Sequence, residues 1–183
     1  MTDRELLDRL RRDDGAAFDA LFRAHYPALV GVAERLLGER AVAEEVAQDV
    51  MLELWRRRGT VSVDDSLRAY LFRAARNRAL NHLRHERMKQ RTAPRAAGET
   101  VTRPEAPARL EEEEIDRAVR EAVGALPERC REVFELSRGH GLRYAEIAGV
   151  LGISVKTVEA QMGKALRVLR DRLAPFLPGA DDG

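Results

Sequence analysis

One cysteine, Cys130, stands in 183 residues. A lone thiol closes no intramolecular disulfide and builds no multi-cysteine zinc site, a usage that suits a reducing cytoplasm. Packing is the role expected of it. Aromatic side chains are nearly as scarce, at 5% of the chain, so the core must be aliphatic and modest. No apolar run approaches the roughly 20 residues that a bilayer-spanning helix needs. The opening "MTDRELLDRLRRDD" is too charged for a signal peptide. Membrane insertion is therefore not expected, and the cytoplasm is the expected location. No stretch alternates apolar and polar residues as a half-buried strand would. The four histidines are His25, His82, His85 and His140. Only His82 and His85 lie one helical turn apart, and they have no carboxylate cluster beside them, so neither a metal site nor a cofactor is expected. Glu44 and Glu45 near Asp49 read more simply as a solvated or docking face than as a catalytic pair, and no enzyme is expected.

What the chain does have is helix formers. Ala, Leu, Arg and Glu fill most of it, and 44% of it is apolar. That composition predicts an all-α protein of one domain or two small ones. Between Ser66 and Arg95 nine positive residues face one acid, Glu86, for a net +8. From Ala96 to Glu128 nine acids outnumber four arginines, for a net −5. One segment attracts phosphate and the next repels it. In the basic segment Arg73, Arg76/Asn77, Asn81, Arg84 and Arg87 recur at helical spacing opposite Leu67, Leu71, Ala75, Ala79 and Leu83. "QRTAPRAAGETVTRPEAPARLEEEE" has three prolines, few large apolar residues and no periodicity, which predicts a flexible linker. The expected organisation is a helical domain over 1–88, a linker over 89–111, a second helical domain over 112–177 and a tail over 178–183. In the first domain helices are predicted over Ala16–Leu37, Ala41–Arg57 and Ser66–Arg87, with Pro27 marking a break or a first turn. The second domain begins with an amphipathic stretch from Ile115 and restarts at Pro127 in a first-turn position.

The strongest local pattern is "YAEIAGVLGISVKTVEAQMGKAL". Ala148 is small where two helices would cross, and Gly152 stands where the turn between them needs a positive φ. Ile153, Val155, Val158, Met162, Leu166 and Leu169 form a stripe expected to face inward. Lys156, Thr157, Ala160, Gln161 and Lys164 share the other side, and Ser154 is an N-cap candidate. The outline is a helix-turn-helix, with Tyr144–Leu151 supporting and Val155–Arg172 reading. An ordinary helical hairpin is the plainer alternative.

In family order, "AEEVAQDVMLELWRRR", "SLRAYLFRAARNRALNHLRHE", the linker and "ALPERCREVFELSRGHGLRYAEIAGVLGISVKTVEAQMGKALRVLR" resemble a bacterial RNA polymerase sigma factor of the extracytoplasmic-function group, the minimal form of the sigma-70 family. The "KTVEAQMGKAL" helix resembles the form typical of sigma factors of Bacteroidetes and their relatives more than the commoner "GTVKSRLHRAR" form. The resemblance implies core RNA polymerase as partner, through the clamp helices of its largest subunit and its flap, together with promoter DNA and an anti-sigma factor. It implies polymerase docking by Glu45, Gln48, Asp49, Leu52 and Trp55, with internal packing as Trp55's alternative. It implies contact with the −10 element by Phe72, Arg73, Arg76, Asn77, Asn81 and Arg84, with a core position as the alternative for Phe72. The loop Val61–Asp65 would receive a flipped base. Lys156, Thr157, Glu159, Ala160, Gln161 and Lys164 would meet the −35 element, Gln161 suited to an adenine edge, Glu159 to cytosine N4 or to solvent, and the lysines to guanine or phosphate. Arg138 and Arg143 are further phosphate candidates, with solvation as the alternative for each. The rival function is a stand-alone helix-turn-helix regulator of the response-regulator type. That rival requires a phosphoacceptor domain of alternating strands and helices, and residues 1–88 show no strand pattern.

Overall fold

The computed structural model describes residues 2–62, 66–91 and 110–176. Most of the expected linker, the expected tail and residues 63–65 of the base-receiving loop lie outside them. Every regular element among the described residues is a helix, and none is a strand. They fall into two compact units.

In the first unit α1 (Asp3–Leu10), α2 (Gly15–Leu37), α3 (Arg40–Arg56) and α4 (Leu67–Gln90) follow one another. α2 is the hub, packing on α1, α3 and α4. Leu10, Leu21, Leu29, Met51, Leu54, Leu71 and Phe72 are fully buried. Each such aliphatic side chain contributes about 1.5–3 kcal/mol by leaving water. α1 was not among the expected helices, although its start is written in the sequence. Thr2 Oγ1 accepts from Glu5 N, and Glu5 Oε2 accepts from Thr2 N at 2.7 Å, a reciprocal capping box.

Helix α2 runs through Pro27 without a break. A mid-helix proline costs roughly 3 kcal/mol because it removes a hydrogen bond and crowds the preceding turn. Here buried residues lie on both sides of it, Leu21 and His25 before and Leu29, Val30, Val32 and Ala33 after. Packing along the whole length outweighs the local penalty. Gly38 then ends α2 in the left-handed region at φ 71° and lets the chain turn at once into α3.

Helix α1 is fastened to its neighbours by charge. His25 Nε2 is buried 3.0 Å from Asp3 Oδ2. His25 holds the Asp3 carboxyl below its ordinary value. The contact therefore stabilises the fold above the ordinary carboxylate range and loses that effect as pH falls through the lowered pKa. Arg11 Nη2 donates to Val61 O at 2.8 Å, and Arg58 pairs with Asp13, which sits at φ 62° in the turn between α1 and α2.

The second unit holds α5 (Leu110–Gly124), α6 (Glu128–Phe134), a π-helical turn at Glu135–Gly139, α7 (Tyr144–Leu151) and α8 (Val155–Leu173), which ends in a 3-10 turn at Ala174–Phe176. α8 packs on α5 and α6. Ala122, Leu126, Cys130, Ala165 and Leu169 form a buried cluster bordered by Val123, Phe134, Val168 and Leu173. α5 starts at Leu110, inside the segment expected to be linker, and leaves Ile115 and Val119 exposed. Pro127 stands one position before the expected first turn, as the N-cap of α6, with its carbonyl accepting from Arg131 N.

Candidate nucleic-acid interface

Helix α4 is set by Ser66, whose Oγ accepts from Ala69 N at 3.1 Å. Leu67, Leu71, Ala75 and Ala79 are buried and Leu83 is half-buried, so the expected inward face is the observed one. Arg73, Asn77, Asn81, Arg84 and Arg87 stand exposed on the helix, and Arg76 is half-buried. Arg84 Nη1 donates to Asn81 Oδ1 at 3.5 Å. Guanidinium groups and amides in such a row can hold phosphates and meet base edges. Phe72 does not join them. It is 0% exposed, and its ring is part of the core beneath the Arg68 guanidinium, 5.8 Å from the ring centre. A fully buried ring has no face on which a base could stack, so the −10 role expected of Phe72 is replaced by its core alternative.

Helix α8 begins on the expected cap. Ser154 Oγ accepts from Thr157 N at 3.1 Å, and the Ser154 and Thr157 hydroxyls lie 2.8 Å apart. Gly152 has φ 66°, and its N–H caps α7 by donating to Ala148 O. Lys156, Thr157, Glu159, Ala160 and Lys164 are exposed. The inward stripe differs from the expected one. Val158, Met162, Ala165 and Leu169 are buried, whereas Val155 is 41% and Leu166 38% exposed. The positions 158, 162, 165 and 169 keep a strict four-three-four spacing, and 166 is rotated about 100° from 165. The small Ala165 sits over the Cys130 cluster where Leu166 was expected to point.

Gln161 is half-buried, and its Oε1 accepts from Cys130 Sγ at 2.9 Å. Pairing with adenine uses the amide oxygen and nitrogen together. The oxygen is turned toward the buried Cys130 thiol, and the adenine pairing expected of Gln161 would need it to turn outward. Arg138, in the π-helical turn, and Arg143, ahead of α7, are both exposed. Arg143 N donates to Glu146 Oε2 at 2.8 Å.

A second kind of surface lies on α2 and α3. On α3 Val46, Val50 and Leu54 face inward, and Glu45, Gln48, Asp49 and Leu52 are exposed, Leu52 by 43%. Trp55 is half-buried and makes internal contacts. Phe18 meets it edge-on at 5.3 Å, Arg58 lies over its ring at 4.4 Å, and it lines an open depression with Gly15, Phe18, Asp19 and Leu52. The neighbouring row on α2 was not expected. Phe18, Phe22 and Tyr26 recur every fourth residue, with ring centres 6.1 Å and 4.5 Å apart, and Gln48 Nε2 lies 3.4 Å from the Tyr26 hydroxyl. The signal was present, since four of the nine aromatic residues of the chain fall in this one patch. Aromatic rows half-open to solvent suit a protein partner. Among the described residues no cluster of His, Cys, Asp or Glu could hold a metal ion, and no helix is long and apolar enough to cross a membrane.

Known proteins share this arrangement. Residues 21–88 match the family model described as Sigma-70 region 2, and residues 116–169 match that of Sigma-70, region 4. The chain is 30% identical over 184 residues to the RNA polymerase sigma-H factor of Pseudomonas aeruginosa, covering 96% of this chain and 95% of that one. It is 30% identical over 171 residues to the ECF RNA polymerase sigma factor SigK of Mycobacterium bovis, covering 92% and 91%. Among solved structures it is similar to CnrH in complex with the cytosolic domain of CnrY, with a TM-score of 0.65, 27% identity and coverage of 94% and 97%. The fold is also that of the sigma factor RpoE of Bartonella quintana, solved with the anti-sigma factor NepR, with a TM-score of 0.66, 21% identity and coverage of 86% and 96%.

Proposed function

This chain belongs to the extracytoplasmic-function group of the sigma-70 family, and from that membership we propose how its surfaces divide the work of a factor that directs RNA polymerase to promoters. The observation that carries the proposal is a chemical division among exposed faces. The α3 face of Glu45, Gln48, Asp49 and Leu52, together with Trp55 and the aromatic row of α2, is acidic and apolar. It docks on the clamp helices of core polymerase, with the acids meeting basic groups and the rings burying apolar area. The α4 face of Arg73, Arg76, Asn77, Asn81 and Arg84 holds the −10 strand. Its cations neutralise phosphates while the amides meet unpaired bases.

Helix α8 enters the major groove of the −35 element with its first turns. Lys156 and Lys164 reach guanine edges or phosphates, while Thr157, Glu159 and Ala160 line the base pairs. The second unit also meets the polymerase flap. An anti-sigma factor is the regulatory partner that membership of this family suggests, and the protein works in the cytoplasm. Domains over 1–88 and 112–177, with a proline-bearing linker over 89–111, complete the proposal. The Bacteroidetes-like form concerns the recognition helix alone, since the relatives named above come from Pseudomonas and Mycobacterium. The stand-alone regulator loses its footing because the first unit is a helical region 2 with no strand among its described residues.

The test is association of the full chain with bacterial core RNA polymerase, followed by transcription from a genomic fragment library. Stoichiometric binding and new start sites are expected, and aligning the starts yields both elements. Asp49→Arg should weaken core association by about tenfold or more, because it sets like charge against a basic partner. Unchanged affinity in that variant would move the docking face elsewhere.

A further inference from the structure

The contact between Cys130 and Gln161 joins the core of the second unit to its reading helix. Cys130 is 1% exposed and is surrounded by Ala122, Leu126, Ala165 and Leu169. Its Sγ donates to Gln161 Oε1, with 2.9 Å between the two atoms. A thiol is a weak donor. In this apolar setting, however, the alternative for the amide oxygen is to lose a partner or to swing outward, and low dielectric strengthens the bond that is made. The amide group has two inequivalent ends, and fixing one decides what the other presents.

We propose that Cys130 is a positioning residue for promoter specificity. By holding the Gln161 oxygen inward, it leaves only the Nε2 amine to read the duplex. This inference rests on α8 being the −35 reader. An intact glutamine amide matches adenine, donating to N7 and accepting from N6. An amide whose oxygen is withheld offers hydrogens alone. Those hydrogens suit guanine, whose O6 and N7 are adjacent acceptors, and the adenine N6 amine becomes a donor facing a donor. Gln161 therefore selects G·C at the pair it reaches, and the selection originates in a side chain that never touches DNA.

Holoenzyme assembled from core polymerase and the full chain would be presented with promoters randomised across the −35 region, and bound fragments sequenced. Gln161→Ala identifies the pair that Gln161 reads, as the position whose preference disappears. At that pair the unsubstituted protein should prefer G·C. Cys130→Ala and Cys130→Val both remove the donor, one leaving space and the other filling it. In whichever folds, as checked by thermal melting, the preference should move toward A·T by about fivefold or more, the lower range for one bidentate amide–base pair. Cys130→Ser keeps a donor and should keep G·C. A purely structural role for Cys130 would lower melting temperature in these variants without altering which base is chosen. An A·T preference in the unsubstituted protein, or the same preference with and without the donor, overturns the positioning role. If Gln161→Ala changes no position while Lys156 and Lys164 variants do, the inference alone fails. If no α8 variant changes any position, the assignment of α8 as reader fails with it.

Discussion

Two helices, α4 and α8, open in the same way and end in different chemistry. Each starts at a serine, Ser66 or Ser154, whose Oγ accepts a backbone N–H three residues on at 3.1 Å. Each buries one stripe on its own unit. The exposed side of α4 is dominated by arginine, with Asn77 and Asn81 between. That of α8 mixes Lys156, Thr157, Glu159, Ala160 and Lys164. A uniformly cationic row holds a backbone of either sequence, because every nucleotide carries the same phosphate. A mixed row with an acid in it binds phosphate less well and discriminates bases better. On the proposed assignment, capping and amphipathicity locate a nucleic-acid helix, whereas the composition of its outer face decides whether it grips or reads.

The comparison breaks most visibly at α4. Arg73→Ala, Arg76→Ala and Arg84→Ala together should reduce promoter-complex affinity strongly and uniformly across sequences. The slope of log affinity against log salt should become shallower by about two, from roughly 0.7 per lost contact to a single strand. A salt titration of holoenzyme on several unrelated promoters measures both. A loss confined to one promoter sequence would make α4 a reader and erase the distinction. At α8 the expected pattern is the opposite. Lys156→Ala with Lys164→Ala should weaken binding by about tenfold on the preferred −35 sequence, and less on scrambled ones, since one good base contact is worth about 1–3 kcal/mol. Equal losses on both sequences would place these lysines on phosphate.

Much of what frames these two helices is legible in the sequence. The α7 bounds, the Gly152 turn and the Ser154 cap follow from local chemistry, which a sequence states directly. The burial of Leu67, Leu71, Ala75 and Ala79 follows from spacing. What stayed illegible depends on packing between segments far apart in the chain. Pro27 reads as a break, and only the apolar neighbours on both sides of it keep α2 whole. Leu166 reads as core until Ala165 is found over Cys130. Gln161 reads as an adenine partner, and nothing near it in sequence announces a thiol 31 residues upstream. Phe72 is an intermediate case, since burial was already its alternative. α1 was missed although its Thr2–Glu5 capping box is a local signal, because only eight residues follow and they are highly charged.

The finest test concerns what the two helices share. If the serine caps act only as local stabilisers, Ser154→Ala should lower the stability of the second unit by about 1 kcal/mol, the usual cost of losing a side-chain N-cap. It should leave base preference alone. Ser154 does more than cap, however, because its hydroxyl also lies 2.8 Å from that of Thr157, one of the residues assigned to the groove. Removing it frees the Thr157 hydroxyl to turn. A melting curve and a −35 selection on the same variant separate the two effects. Lower stability with unchanged selection makes the caps of α4 and α8 equivalent. A changed preference at the first base pairs would mean that in α8 even the cap belongs to the reading surface, and the contrast with α4 would begin at the first residue of the helix.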